Sequence, residues 1–81
     1  MMTEKIKFQG RLAGKQLAKK QLTLKIEGLI LSIRDILDPF AEIPALKTDI
    51  AAEQSIQLAE AVNDYASLQS EIKELERYIN V

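Results

Sequence analysis

Apolar residues recur along the second half of the chain at alternating spacings of three and four positions. This heptad pattern is typical of a helix that packs against another helix along one seam. It predicts a long helix over residues 45–80, whose first turn lies between Pro44 and Thr48 because proline suits a first helical position and Thr48 a helix cap. The seam consists of Leu58, Ala61, Tyr65, Leu68, Ile72, Leu75 and Ile79.

The first half of the chain carries a similar seam, which predicts a helix over residues 10–37. Pro39 ends this helix because proline disfavours helical backbone in the residue before it. Residues 38–44 are the predicted connection, and we expect Phe40 and Ile43 to cover the end of the helix pair. The seam residues are Leu22, Ile26, Leu29, Ile33 and Ile36.

The amino-terminal residues 1–9 contain Ile6 and Phe8 alternating with lysines, and we predict an irregular arm there. The whole chain, residues 1–81, is then one all-α domain. Because the connection between the two helices is short, they are expected to run antiparallel. The predicted fold is a coiled-coil-like antiparallel helical hairpin.

More apolar surface is present than one hairpin can bury, since each helix covers only one face of its neighbour. An exposed apolar face of this size is typical of an interface. The sequence therefore predicts a homo-oligomer, with a dimer that forms a four-helix bundle as the simplest solution. Gly28, inside the first helix, either permits close helix approach or is simply tolerated. The surplus residues, a possible oligomer interface, are Leu17, Leu24, Leu31, Ala52, Ile56, Ala59 and Ala66.

The composition argues against catalysis. The chain contains no histidine and no cysteine, which removes the commonest general base and all thiolate chemistry. It also lacks the glycine-rich loops that bind phosphate groups. We therefore expect a protein that is not an enzyme and has no metal site and no cofactor. No apolar run approaches the roughly 20 residues of a membrane span, and a cytoplasmic protein is expected.

Charge is divided unevenly along the chain, with a net +6 over residues 1–25 and −7 over residues 26–81. Four of the basic residues recur every four positions: Lys7, Arg11, Lys15 and Lys19. One interpretation is that they pair with the acidic end of the second helix, which an antiparallel hairpin brings beside them. Others are that they bind a polyanion such as nucleic acid, through salt-sensitive contacts with phosphate groups, or an acidic protein.

Residues 32–40 (SIRDILDPF), residues 51–59 (AAEQSIQLA) and the charged coiled-coil end resemble short uncharacterised helical proteins of Mu-like transposable prophages. The resemblance covers most of residues 10–80. It implies a bacterial or phage source and a small accessory role, and it brings no site residues with it. The function expected from the residues is a structural or protein-interaction module, and the alternative is an accessory factor that binds nucleic acid through its basic amino-terminal segment.

Overall fold

The computed structural model describes residues 2–80 of the chain, and these form two long antiparallel helices. Helix α1 is Met2–Ile36 and helix α2 is Thr48–Ile79, with a short 3-10 turn at Ile43–Ala45 between them. No strand occurs within residues 2–80. The helices pack against each other along their length, which confirms the all-α helical hairpin. The hairpin measures 64 × 14 × 14 Å, so it is a narrow rod.

The two helices meet along one heptad seam each, which we call the inner seams. The inner seam of α2 follows the predicted pattern and contains the four buried side chains among the described residues. These are Ala51, Ala61, Ile72 and Leu75. The inner seam of α1 is half-buried and continues the predicted pattern toward the amino terminus. Its members are Phe8, Leu12, Lys15, Lys19, Leu22, Ile26, Leu29, Ile33 and Ile36.

The amino-terminal segment is helical from Met2 onward, so the prediction of an irregular arm over residues 1–9 is wrong; Met1 lies outside the described residues. Phe8 is the reason, since it lies four positions before Leu12 and extends the inner seam by one turn. Its ring stacks on that of Tyr78, with 5.3 Å between ring centroids and 11° between ring planes. Aromatic stacking of this kind stabilises the added turns. Glu4 in the first turn also complements the helix dipole.

The connection is longer than the predicted residues 38–44. Helix α1 ends at Ile36, and a turn follows in which the backbone N–H of Ala41 donates to the carbonyl oxygen of Asp38 at 3.1 Å. Leu46 then takes an extended backbone conformation, with φ −72° and ψ 119°. Because that conformation interrupts helical hydrogen bonding, α2 begins at Thr48 rather than at residue 45, and it ends at Ile79.

Phe40 and Ile43 project from the connection into solvent, with 94% and 84% of their surfaces exposed. The expectation that they cover the end of the helix pair is wrong. The backbone of the connection satisfies its hydrogen bonds locally, and the N–H of Phe40 donates to a carboxylate oxygen of Asp38 at 3.0 Å. The turn therefore holds together without inserting either side chain between the helices.

Candidate interaction surfaces

The predicted interface residues of α1 form a line on the side of the helix away from α2. Leu17, Leu24 and Leu31 are seven residues apart, and 58%, 65% and 65% of their surfaces are exposed. Each lies two positions before an inner-seam residue, which places it nearly opposite the seam on a helix of 3.6 residues per turn. No other part of the hairpin covers this line.

All three glycines of the chain lie on the same side of α1 as these leucines. Together with Gln21 they complete a second heptad pattern, which we call the outer stripe of α1. A Cβ atom added at any of the three glycines would meet nothing within 4 Å. The hairpin itself therefore gives no steric reason for glycine, although glycine inside a helix costs about 1 kcal/mol relative to alanine. The stripe reads Gly10, Gly14, Leu17, Gln21, Leu24, Gly28, Leu31.

The predicted interface residues of α2 form a second line, the outer stripe of α2. Its members Ala52, Ile56, Ala59 and Ala66 are all exposed, and Ile56 is 62% exposed. Ile56 is two positions before the seam residue Leu58 and lies nearly opposite the seam, whereas each of the three alanines directly follows a seam residue and lies on the flank of the seam. Because the inner seams face each other, the leucine line of α1 and Ile56 of α2 lie on opposite edges of the rod. The predicted interface residues therefore belong to two separate surfaces.

The open end of the hairpin, where the first turns of α1 lie beside the last turns of α2, combines charged and aromatic side chains. The Lys15 ammonium is 2.7 Å from a carboxylate oxygen of Glu71. The Lys19 ammonium lies 5.4 Å from the centroid of the Tyr65 ring, a distance suited to a cation–π contact. Thus both lysines reach across to α2.

The other two residues of the predicted basic line are placed differently. The Arg11 guanidinium lies 5.8 Å from the centroid of the Phe8 ring, within its own helix. Lys7 is exposed. A groove of about 530 Å³ is open to solvent between the helices at this end. Its lining combines the aromatic stack with acidic and basic side chains: Phe8, Arg11, Lys15, Glu71, Glu74, Leu75 and Tyr78.

The aromatic partners at the open end were missed by the sequence reasoning. The signal that could have found them is the spacing of four from Phe8 to Leu12, which extends the seam through Lys15 and Lys19. A lysine in a seam position breaks an apolar pattern, yet its aliphatic stem packs well against apolar neighbours while the ammonium reaches an acidic or aromatic partner.

Within residues 2–80, no three acidic side chains cluster closely enough to hold a metal ion. No helix in this part of the chain has the length and apolar character needed to cross a membrane. Comparison of the chain with protein-family models, with curated proteins and with solved structures gave no match. The resemblance to proteins of Mu-like prophages stays a prediction.

Proposed function

We propose that this protein is a non-enzymatic interaction module, a helical hairpin that assembles with other copies of itself through its outer apolar surface. The observation that carries the proposal is the exposure of Leu17, Leu24 and Leu31 in one straight line along α1. Isolated exposed leucines are ordinary, whereas a continuous apolar line on a small protein is typical of a contact surface.

The exposed area of the hairpin supports the same proposal. Its accessible surface is 6532 Å², whereas a compact monomer of this mass is expected to expose about 4,900 Å². The radius of gyration is 18.4 Å, compared with about 12 Å for a compact domain of this length. The surplus of roughly 1,600 Å² on one copy is about twice the roughly 800 Å² that a standard protein interface removes from water on each partner.

The alternative function, nucleic-acid binding through Lys7, Arg11, Lys15 and Lys19, has weaker support. Phosphate binding needs cationic groups that are free to approach the backbone of the nucleic acid. Lys15 is paired with Glu71 and Lys19 lies against Tyr65, so the four side chains do not present one common cationic face.

Sedimentation equilibrium across a wide concentration range tests the proposal. The expected result is a mass that rises to a defined oligomer. A variant with serine at all three leucines, L17S/L24S/L31S, should weaken association strongly while its helical circular dichroism persists. The matched control is Lys25→Ser, an exposed change on the same helix that leaves the outer stripe intact. A protein that stays monomeric and helical at every concentration contradicts the proposal.

Fluorescence anisotropy with labelled duplex DNA and with single-stranded RNA separates the alternative. Under the proposal neither probe binds at physiological salt. Binding that weakens steeply with salt and is lost in the variant K7Q/R11Q would instead favour the nucleic-acid function.

A further inference from the structure

We infer that the outer stripe of α1 is the contact surface of a symmetric antiparallel homodimer, in which leucines of one copy pack over glycines of the other. The inference rests on the proposed function and goes further, because it names the occupant of the stripe and the register of the contact. A closed two-fold dimer requires one surface that is complementary to itself. The outer stripe of α1 has this property in both its side-chain sizes and its charges.

Size complementarity appears when two copies of α1 are placed antiparallel about a two-fold axis between Leu22 and Thr23. Antiparallel heptad layers then set Leu17 against the partner's Gly28 and Leu31 against the partner's Gly14. The central layers pair Leu24 with the partner's Gln21. Gly14 and Gly28 leave open space on their own hairpin, and in this arrangement a leucine fills that space. Gly10 faces the partner's Asp35 instead. The dimer thus supplies the steric use for glycine that the single hairpin lacks.

Charge complementarity selects the same register independently. Lys20 and Glu27 are exposed residues that flank one side of the outer stripe. In the register described, Lys20 lies beside the partner's Glu27 and Glu27 lies beside the partner's Lys20, which gives two ion pairs related by the axis. Neither residue has an oppositely charged neighbour three or four positions away on α1. Their charges are therefore available to a second copy.

The registers shifted by one heptad and the parallel arrangement bring like charges together. A shift of one heptad in one direction sets Lys20 against the partner's Lys20, and in the other direction Glu27 against the partner's Glu27. A parallel arrangement sets Lys20 against the partner's Lys25. Like charges in flanking positions of this kind disfavour a pairing and thereby fix orientation and register. The outer stripe of α2 is a poorer contact surface for the outer stripe of α1. Contact between two unlike surfaces repeats into an open filament instead of closing into a dimer.

The experiment uses two single charge reversals and their mixture. In the proposed register, Lys20→Glu places two acidic pairs at the interface and Glu27→Lys places two basic pairs. For each variant alone, the dissociation constant of the dimer should rise at least about tenfold at low salt. An equimolar mixture restores both ion pairs and should recover wild-type affinity as a heterodimer, and the double variant K20E/E27K should recover it as a homodimer. The measurement is sedimentation equilibrium with one variant fluorescently labelled.

The outcomes separate this inference from the proposed function. A parallel dimer predicts instead that Lys20→Glu alone strengthens association, which would overturn the inference. Association that is unchanged by both charge reversals but lost in Ile56→Glu, on the outer stripe of α2, would also overturn the inference. The proposed function would then still hold. A wild-type protein that remains monomeric overturns both. The reversals lie on exposed positions of α1, and circular dichroism of each variant verifies that the hairpin persists.

Discussion

Two faces of α1 carry heptad patterns of the same period, and only one of them has a helix packed against it. The inner seam includes Lys15 and Lys19, yet it is half-buried against α2. The outer stripe has three leucines and three glycines, yet it lies open to solvent. Apolar character alone therefore does not tell which face of this helix meets α2.

The difference between the two faces lies in what stands opposite each of them. The carboxyl-terminal half of α2 supplies large side chains to the seam, including the buried Ile72 and Leu75, and it supplies the Glu71 carboxylate and the Tyr65 ring that the two lysines approach. The outer stripe has no such partner within residues 2–80. A face with glycines at regular positions is suited instead to a partner that brings its own large side chains.

The largest expected effect distinguishes a residue of the inner seam from one of the outer stripe. Ile72→Ala removes a buried side chain and should lower the free energy of unfolding by about 3 kcal/mol, through lost burial and a residual cavity. Leu24→Ala changes an exposed side chain and should lower it only at concentrations where the oligomer is populated. Urea denaturation at low and high protein concentration measures both. Equal losses for Leu24→Ala at the two concentrations would contradict the comparison.

The seams of α2 and of the second half of α1 were predictable, because their heptads run without glycine or proline at seam positions. The amino-terminal turns of α1 were not. Ile6 and Phe8 alternate with lysines, and the role of Phe8 depends on the ring of Tyr78, which is seventy positions away and approaches only when the hairpin closes. The pairing of Lys15 with Glu71 followed from the antiparallel order, whereas the contact of Lys19 with Tyr65 did not.

The connection was harder to predict than the helices for a related reason. The positions of the prolines indicated where the helices end. The direction of a side chain in a turn, however, depends on local backbone angles that no periodicity encodes. Phe40 is therefore exposed despite its apolar character. The outer stripe, by contrast, was predictable in part. Its leucines were identified from their spacing, whereas Gly28 was considered for close helix approach but was not assigned to the same stripe, because a glycine gives no apolar signal.

Gly28→Ala is expected to have a smaller effect, which has opposite signs for the stability of the monomer and for the affinity of the dimer. No atom lies near the added methyl group within one hairpin, so the substitution should raise the free energy of unfolding of the monomer by up to about 1 kcal/mol. In the proposed dimer the same methyl group occupies space that a leucine needs, and dimer affinity should fall. Thermal unfolding at low concentration and sedimentation at high concentration measure the two effects. Gly10→Ala, near the end of the stripe, is the control that should stabilise the monomer without weakening the dimer comparably.

The smallest expected effect concerns the ion pair that closes the open end of the inner seam. Lys15 and Glu71 are 35% and 52% exposed, so solvent screens their attraction strongly. A double-mutant cycle with Lys15→Met and Glu71→Gln should give a coupling free energy of about 0.5 kcal/mol at low salt, decreasing as salt is added. Lys15→Met alone should cost little, because methionine keeps the aliphatic contact that the lysine stem makes with α2. A coupling free energy of zero at low salt would mean that the Lys15 charge forms no stabilising pair within the hairpin. Only the aliphatic stem of Lys15 would then contribute to the seam.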